Sequence, residues 1–316
     1  LGDIRIGTSG WSYPTGKGTW NGIFYPKPAG RGRGRGKVDE LEFYAEHFDT
    51  VEVNSTFYRV PSVEAVRGWA KRTPPGFEFS LKLYQKFTHP AMFHEATGGD
   101  PWDLGAKDVD EFLRAIEPLA DAGKLGALLA QFPPSFKNEP DSHGFLEWLL
   151  KRFREHLVAV ELRHRSWSDA PDRTLELLSE YNVALVQIDE PKFRTSIRLN
   201  LQPNVRTFYY LRLHGRNAAQ WWKHDKSEDR YNYLYSPEEL EPFAEAVEDA
   251  SRKVRKAYLY TNNHFSAKSV ANAAILKHKI GLPVPGEYPE EMVERYPELQ
   301  GIVKLLPPPL IPSRKP

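Results

Sequence analysis

In this chain of 316 residues, charged and amide side chains recur inside or at the ends of short aliphatic runs. TVEVNST carries Glu52 and Asn54, FEFSLKL carries Lys82, LGALLAQ ends on Gln131, and LVAVELR carries Glu161 and Arg163. VALVQID ends on Asp189, TFYYLRLH carries Arg212 and His214, and KAYLYTN ends on Asn262. Such a set could do acid–base chemistry, with Glu52 and Glu161 as the carboxyl pair, His214 as a proton shuttle, and Lys82, Arg163 and Arg212 holding an anion. Two carboxylates also suit glycoside hydrolysis, whose outcome follows from their separation. Glu52, Glu161, Asp189 and His214 offer oxygen and imidazole ligands, so a divalent metal (magnesium, manganese or zinc) is the cofactor the set could take. Lys82 and the arginines compete for those carboxylates, and no histidine pair has HExxH spacing. His89 and His94, in THPAMFHEATGGDP, read as surface or capping residues.

What would position these groups is an alternation of strands and helices. Strand candidates cover residues 3–9, 50–56, 77–83, 125–131, 157–163, 183–189, 207–214 and 256–262. Helical patterns fall near 37–48, 62–72, 106–122, 141–156, 171–182, 237–250 and 266–279, with capping signals at Ser62 and at Ser236-Pro237. This order predicts an α/β fold, a single closed (β/α)8 TIM barrel over residues 1–280, rather than an open doubly wound sheet. Between Asp189 and Thr207 no helix is legible, so the sixth crossover is expected to be irregular. Residues 281–316, ending in LLPPPLIPSRKP, read as a Pro-rich C-terminal extension packed on the barrel or trailing from it.

Side chains on a strand alternate faces, so each run can be split. Glu52 goes with Asn54, Ser80 with Lys82, Glu161 with Arg163, Gln187 with Asp189, and Arg212 with His214. One strand face of a parallel barrel packs on helices and the other fills the lumen, and active sites sit at the carboxyl ends. The polar set is therefore expected to converge there. The first strand ends on Ser9 and Gly10, small residues that leave room for a ligand, with Trp11 and Tyr13 at the edge of the mouth. Structural ion pairing, such as Glu161 with Arg163 or Glu52 with Lys82, is the competing reading.

A formal net charge of +1 rules out a uniformly basic or acidic coat, so recognition by charge must be local. Lys17, Lys27, Arg31, Arg33, Arg35 and Lys37 occur without an acidic residue between them and include GRGRGRG, which can follow a phosphate backbone or remain a solvated insertion. LRLHGRNAAQWWKHDKSEDRYNYLY mixes cations with Trp221, Trp222, Tyr231, Tyr233 and Tyr235, as base or sugar stacking requires. Tyr233 and Tyr235 are expected to pack the seventh crossover instead. The absence of cysteine excludes disulfides, thiolate metal sites and cysteine nucleophiles. A cytoplasmic address is expected, since the first residues read as a strand and the apolar runs are short. Two Met, 26 Pro and 27% charged residues lean towards a thermophilic source. Walker, dinucleotide and GxSxG motifs are absent where they would count.

Seven segments in order, IRIGTSGWSYP with FYP, VEVNSTFYRVPS, FEFSLKLYQKFTH, LLAQFPPSF, VAVELRHRSW, YLRLHGRN and YTNNHFSAKSVANA, together resemble the YecE-like family (DUF72), a barrel family of unknown function. The resemblance implies a TIM barrel whose polar motif positions fall on Glu52, Asn54, Lys82, Gln131, Glu161, Arg163, Arg212, His214 and Asn262. It also implies DNA binding, through a likeness to barrel endonucleases acting on abasic sites, although the metal-ligand series of those enzymes is not evident here. Residues and resemblance together predict an enzyme that cleaves phosphodiesters in a phosphate-bearing substrate, nucleic acid. Its catalytic residues are Glu52, Glu161 and His214, and Ser9, Trp11, Tyr13, Asn54, Lys82, Gln131, Arg163, Asp189, Arg212 and Asn262 bind substrate. A carbohydrate hydrolase using Glu52 and Glu161, and a non-catalytic nucleic-acid-binding protein, are the alternatives.

Overall fold

The computed structural model describes residues 2–26, 38–221 and 226–307. Its barrel strands are β1 (Asp3–Ser9), β2 (Thr50–Val53), β3 (Glu78–Lys82), β4 (Leu125–Gln131), β5 (Val158–Glu161), β6, β7 (Phe208–Leu213) and β8 (Lys256–Thr261). β6 has two segments, Ala184–Leu185 and Gln187–Asp189. Neighbouring strands pair in parallel, and β1 joins both β2 and β8. Closure occurs within β6: the first segment pairs with β5 and the second with β7. The break falls on Val186, whose N–H still donates to the Val160 carbonyl at 2.9 Å.

Crossovers run through α1 (Glu40–His47), α2 (Val63–Lys71), α3 (Ala106–Asp121), α4 (Pro140–Phe153), α5 (Pro171–Glu180) and α6 (Pro237–Ser251), and α7 (Lys268–Lys279) follows β8. On α3 the apolar residues Val109, Phe112, Ile116 and Leu119 recur at helical spacing and are buried. The Ser62 hydroxyl caps α2 by accepting from Ala65 N at 3.2 Å, and Ser236 with Glu239 makes a reciprocal box on α6.

From residue 190 to 207 there is neither helix nor strand. Backbone bonds hold this crossover to the loop after β5: Ile197 N donates to Arg163 O and Arg165 N to Thr195 O, both at 2.8 Å. Gln187 Oε1 accepts from the N–H groups of Asn200 and Leu201. Residues 287–288 pair with 304–305, and Tyr288 is buried edge-on to His47 of α1. The GRGRGRG run, Lys27, Lys37, Trp222, Lys223 and residues 308–316 lie outside the described residues. Among those described, no helix is long and apolar enough to cross a membrane.

Candidate functional site

The lumen is layered. Near its amino-terminal end Glu78 accepts from Lys256 Nζ at 2.5 Å and Tyr258 OH at 2.6 Å, with Arg5 at 3.8 Å. Above it Tyr258, Tyr260 and Tyr210 pack against one another and are fully buried. Tyr260 OH bonds Thr50 Oγ1 and Ser80 Oγ, and Tyr210 OH donates to Glu52 Oε2 at 2.7 Å. The tyrosines thus end in the floor of the next layer.

That layer is organised by Arg212, 1% exposed. Its Nε and Nη2 grip Glu52 at 2.9 and 2.6 Å, and its Nη1 reaches Glu161 Oε2 at 2.5 Å and Gln131 Oε1 at 3.3 Å. Ser9 Oγ donates to Glu52 Oε1 at 2.7 Å. Arg163 continues the network, with Nε on Glu161 Oε1 and Nη1 on Glu190 Oε2, each at 2.6 Å. Burial alone would raise the Glu161 carboxyl, but Arg163 and Arg212 hold it well below the usual range. Burial would likewise lower the Arg212 guanidinium, and Glu161 and Glu52 reverse that. Both forks are thus engaged by carboxylates, in the bidentate and bridging geometry arginine favours.

His214 Nε2 lies 3.2 Å from Arg163 Nη2 and 3.3 Å from Arg212 Nη1, so it must accept. The ring hydrogen then belongs on Nδ1, 2.8 Å from the Asn262 side-chain amide, and turning that amide puts its oxygen against it. Burial and then the two guanidiniums push His214 down to about 3, which fixes a neutral imidazole.

Lys82 stands apart. Its Nζ sits 3.8 Å from the centroid of the Phe57 ring and makes no hydrogen bond or ion pair among the described residues. Burial, then Arg212 and Arg163 against the pull of Glu161, pushes its ammonium down to about 7. His89 is buried and packs edge-on to Phe57 with ring centroids 4.9 Å apart, and is pushed down to about 3 by burial and by Lys82 and Arg163. Glu190 is buried too, and burial outweighs Arg163 to raise its carboxyl. Neither His89 nor Glu190 was legible as a site residue. His89, which its sequence suggests is a surface or capping residue, joins the helical segments Gln85–Thr88 and Pro90–Thr97 and is buried, and Glu190 follows β6, whose facing is the reverse of that expected from alternation.

The register of β6 on β7 overturns the expected lumen facing of Gln187 and Asp189. Register sets Ile188 beside Arg212, so Ile188 takes the lumen face and its neighbours turn outward. Asp189 meets Arg216 through both oxygens and Tyr235 OH at 2.7 Å. The first strand needs correcting as well. Gly10 has φ +85°, and a Cβ there would lie 2.7 Å from Tyr13 OH, so the space is occupied by Tyr13 rather than kept for a ligand. Tyr13 stacks on His264 with centroids 4.2 Å apart. Trp11 turns away from the mouth to pack edge-on to Trp69 and Phe79. Asn54 follows β2, half-buried, and its Oδ1 has no partner among the described residues. Trp221 is 5% exposed and packs near His214 and Tyr231. Tyr235 is buried against Phe243, and Tyr233 OH donates to Glu239 at 2.5 Å.

A metal does not fit these donors. The carboxylates of Glu52, Glu161 and Asp189 are each held by a guanidinium, and no three acidic or histidine side chains group to hold an ion among the described residues.

A TIM-like α/β barrel with a buried guanidinium–carboxylate lattice and a lone lysine at its carboxyl-terminal mouth is the class that fold and site define. The chain belongs to the DUF72 family, described as a protein of unknown function, whose model matches residues 5–293. It is similar to the UPF0759 protein YunF of Bacillus subtilis, 27% identical over 296 residues, which cover 92% of this chain and 99% of the relative. A crystal structure of a DUF72 family protein from Thermotoga maritima is 33% identical with a TM-score of 0.74, covering 88% of this chain and 99% of that one. A second, from Enterococcus faecalis, superposes with a TM-score of 0.76 at 24% identity over 91% of this chain and 100% of that one.

Proposed function

We propose that this chain is an enzyme that binds a phosphate-bearing substrate at the barrel mouth and performs acid–base chemistry there, with Lys82 as the group that meets substrate. The observation carrying this is that Lys82 has no carboxylate partner among the described residues, whereas Arg163 and Arg212 are engaged by glutamates. A cation left over beside a balanced lattice has its charge available to a ligand. The acid–base work falls to Lys82 and Glu190, whose shifts bring them towards neutrality. Glu161 and His214 are locked in charged and neutral forms respectively and orient the arginines.

Nucleic acid as the substrate, with phosphodiester cleavage as the reaction, is favoured by the aromatic edge of the mouth. Tyr58 is 66% exposed, and Tyr231 and Arg230 lie close enough to act on it electrostatically. Exposed rings beside cations provide stacking and phosphate neutralisation. The carbohydrate reading has less support, because Glu52 and Glu161 are both gripped by Arg212, and Glu161 is held well below the usual carboxylate range by Arg163 and Arg212 against its burial, which does not suit the acid.

The test is incubation of end-labelled single-stranded and duplex DNA and RNA with wild type and Lys82→Gln, with magnesium, manganese or EDTA. Cleavage that survives EDTA and disappears in Lys82→Gln is expected. Salt-sensitive binding without cleavage would make the chain a binding protein, and neither binding nor cleavage would remove nucleic acid as the substrate.

A further inference from the structure

We propose that Lys82 is an imine-forming amine: the mouth of the barrel takes a carbonyl compound, and Lys82 Nζ condenses with its aldehyde or ketone carbon. The inference rests on the reading above only for the placement of Lys82 at a substrate-binding mouth.

Three observations carry it. Lys82 ends β3 with its side chain half-buried, so Nζ lies in the lumen and is still reachable from the mouth. An ammonium has three N–H donors, and here none meets an acceptor among the described residues. An iminium needs fewer. Spread over carbon and nitrogen, it suits the face of Phe57, which lies 3.8 Å from Nζ. Charge agrees with this. Once Glu190 has given up its proton, Glu52, Glu161 and Glu190 face Arg163 and Arg212, so the lattice then carries one more carboxylate than guanidinium. A cation fixed at the Lys82 position balances it, and a covalent iminium supplies that cation without a hydration shell. Burial first, and then the same guanidiniums, favour the free amine before reaction, which is what a nucleophilic lysine requires.

In the step itself, the Nζ lone pair forms a C–N bond to the carbonyl carbon and one Nζ proton passes to the oxygen. A second proton, for which Glu190 is the raised carboxyl at the mouth, converts that hydroxyl to water. Water leaves, the C–O bond breaks, and the protonated imine remains. Addition of water reverses each transfer, so no oxidant or reductant is consumed.

The experiment is reductive trapping. Full-length wild type is treated at pH 7 with limiting acetaldehyde and sodium cyanoborohydride, and ethylated lysines are mapped by mass spectrometry. Lys82 is expected to be modified at least about tenfold faster than the exposed Lys151, because most of an ordinary lysine is protonated at that pH. Modification of Lys82 no faster than Lys151 would overturn the proposal. Lys82→Gln, checked by circular dichroism, should lose the fast site and keep the slow ones, and an unchanged fast phase would equally overturn it. The readout involves no nucleic acid, so failure to cleave oligonucleotides leaves it intact, and failure to trap leaves phosphodiester cleavage standing.

Discussion

The two ends of the barrel lumen are built from similar residues and differ in what is left over. At the amino-terminal end Glu78 is met by Lys256, Tyr258 and Arg5. At the mouth Arg212 and Arg163 satisfy Glu52, Glu161 and Glu190, yet Lys82 stands beside them with only an aromatic face. Buried charge by itself therefore does not mark a site in this molecule. An ionisable group that its neighbours shift without satisfying does, because its desolvation is offset only when a ligand arrives.

The largest effect should come from the lattice. Arg212→Ala leaves Glu52 buried without its guanidinium and Glu161 with Arg163 alone, and should cost about 3–5 kcal/mol, measured by urea unfolding. Arg212→Lys should not restore it, since one ammonium cannot span both glutamates. Next comes Lys82→Gln, expected to lower turnover of a cleaved oligonucleotide by about 10²-fold or more while the fold persists.

Its stability effect has a sign. In the unfolded chain this lysine titrates near 10.5 and in the fold near 7, so between those values the unfolded state binds more protons and wild type gains stability as pH rises. Lys82→Gln should thus be more stable than wild type at pH 6, with the advantage shrinking towards pH 10. At the other end of the lumen, Glu78→Gln should cost about 1–3 kcal/mol with activity unchanged. If Glu78→Gln abolished activity, the distinction between the two ends would fail. Lys151→Ala, which breaks an exposed pair with Glu147, should leave the urea midpoint indistinguishable from that of wild type.

Most of the barrel was legible because strand and helix periods are local and each strand carries its own polar residues. Arg212 with His214, Glu52 and Glu161 follow directly from alternation. Alternation failed at β6, where the break at Val186 and closure onto β7 put Ile188 rather than Asp189 on the lumen face. No local pattern announces where a barrel closes. Tyr210, Tyr258 and Tyr260 read as ordinary strand aromatics, although their hydroxyls link Glu52, Glu78 and the strands between. Ligand space after Ser9 was inferred from small residues, yet small residues also admit a neighbouring side chain, and Tyr13 takes that space. Which cations are neutralised by carboxylates and which are left over depends on distances across the lumen, and sequence spacing does not encode them.

The most direct test of Lys82 as the working group needs no substrate. Lysine Cε resonances of carbon-labelled protein can be followed from pH 5 to 11, with Lys82→Gln giving the assignment. A single lysine titrating near 7 and missing from the variant is the predicted result. Titration of Lys82 with the exposed lysines, near their ordinary 10.5, would contradict the account.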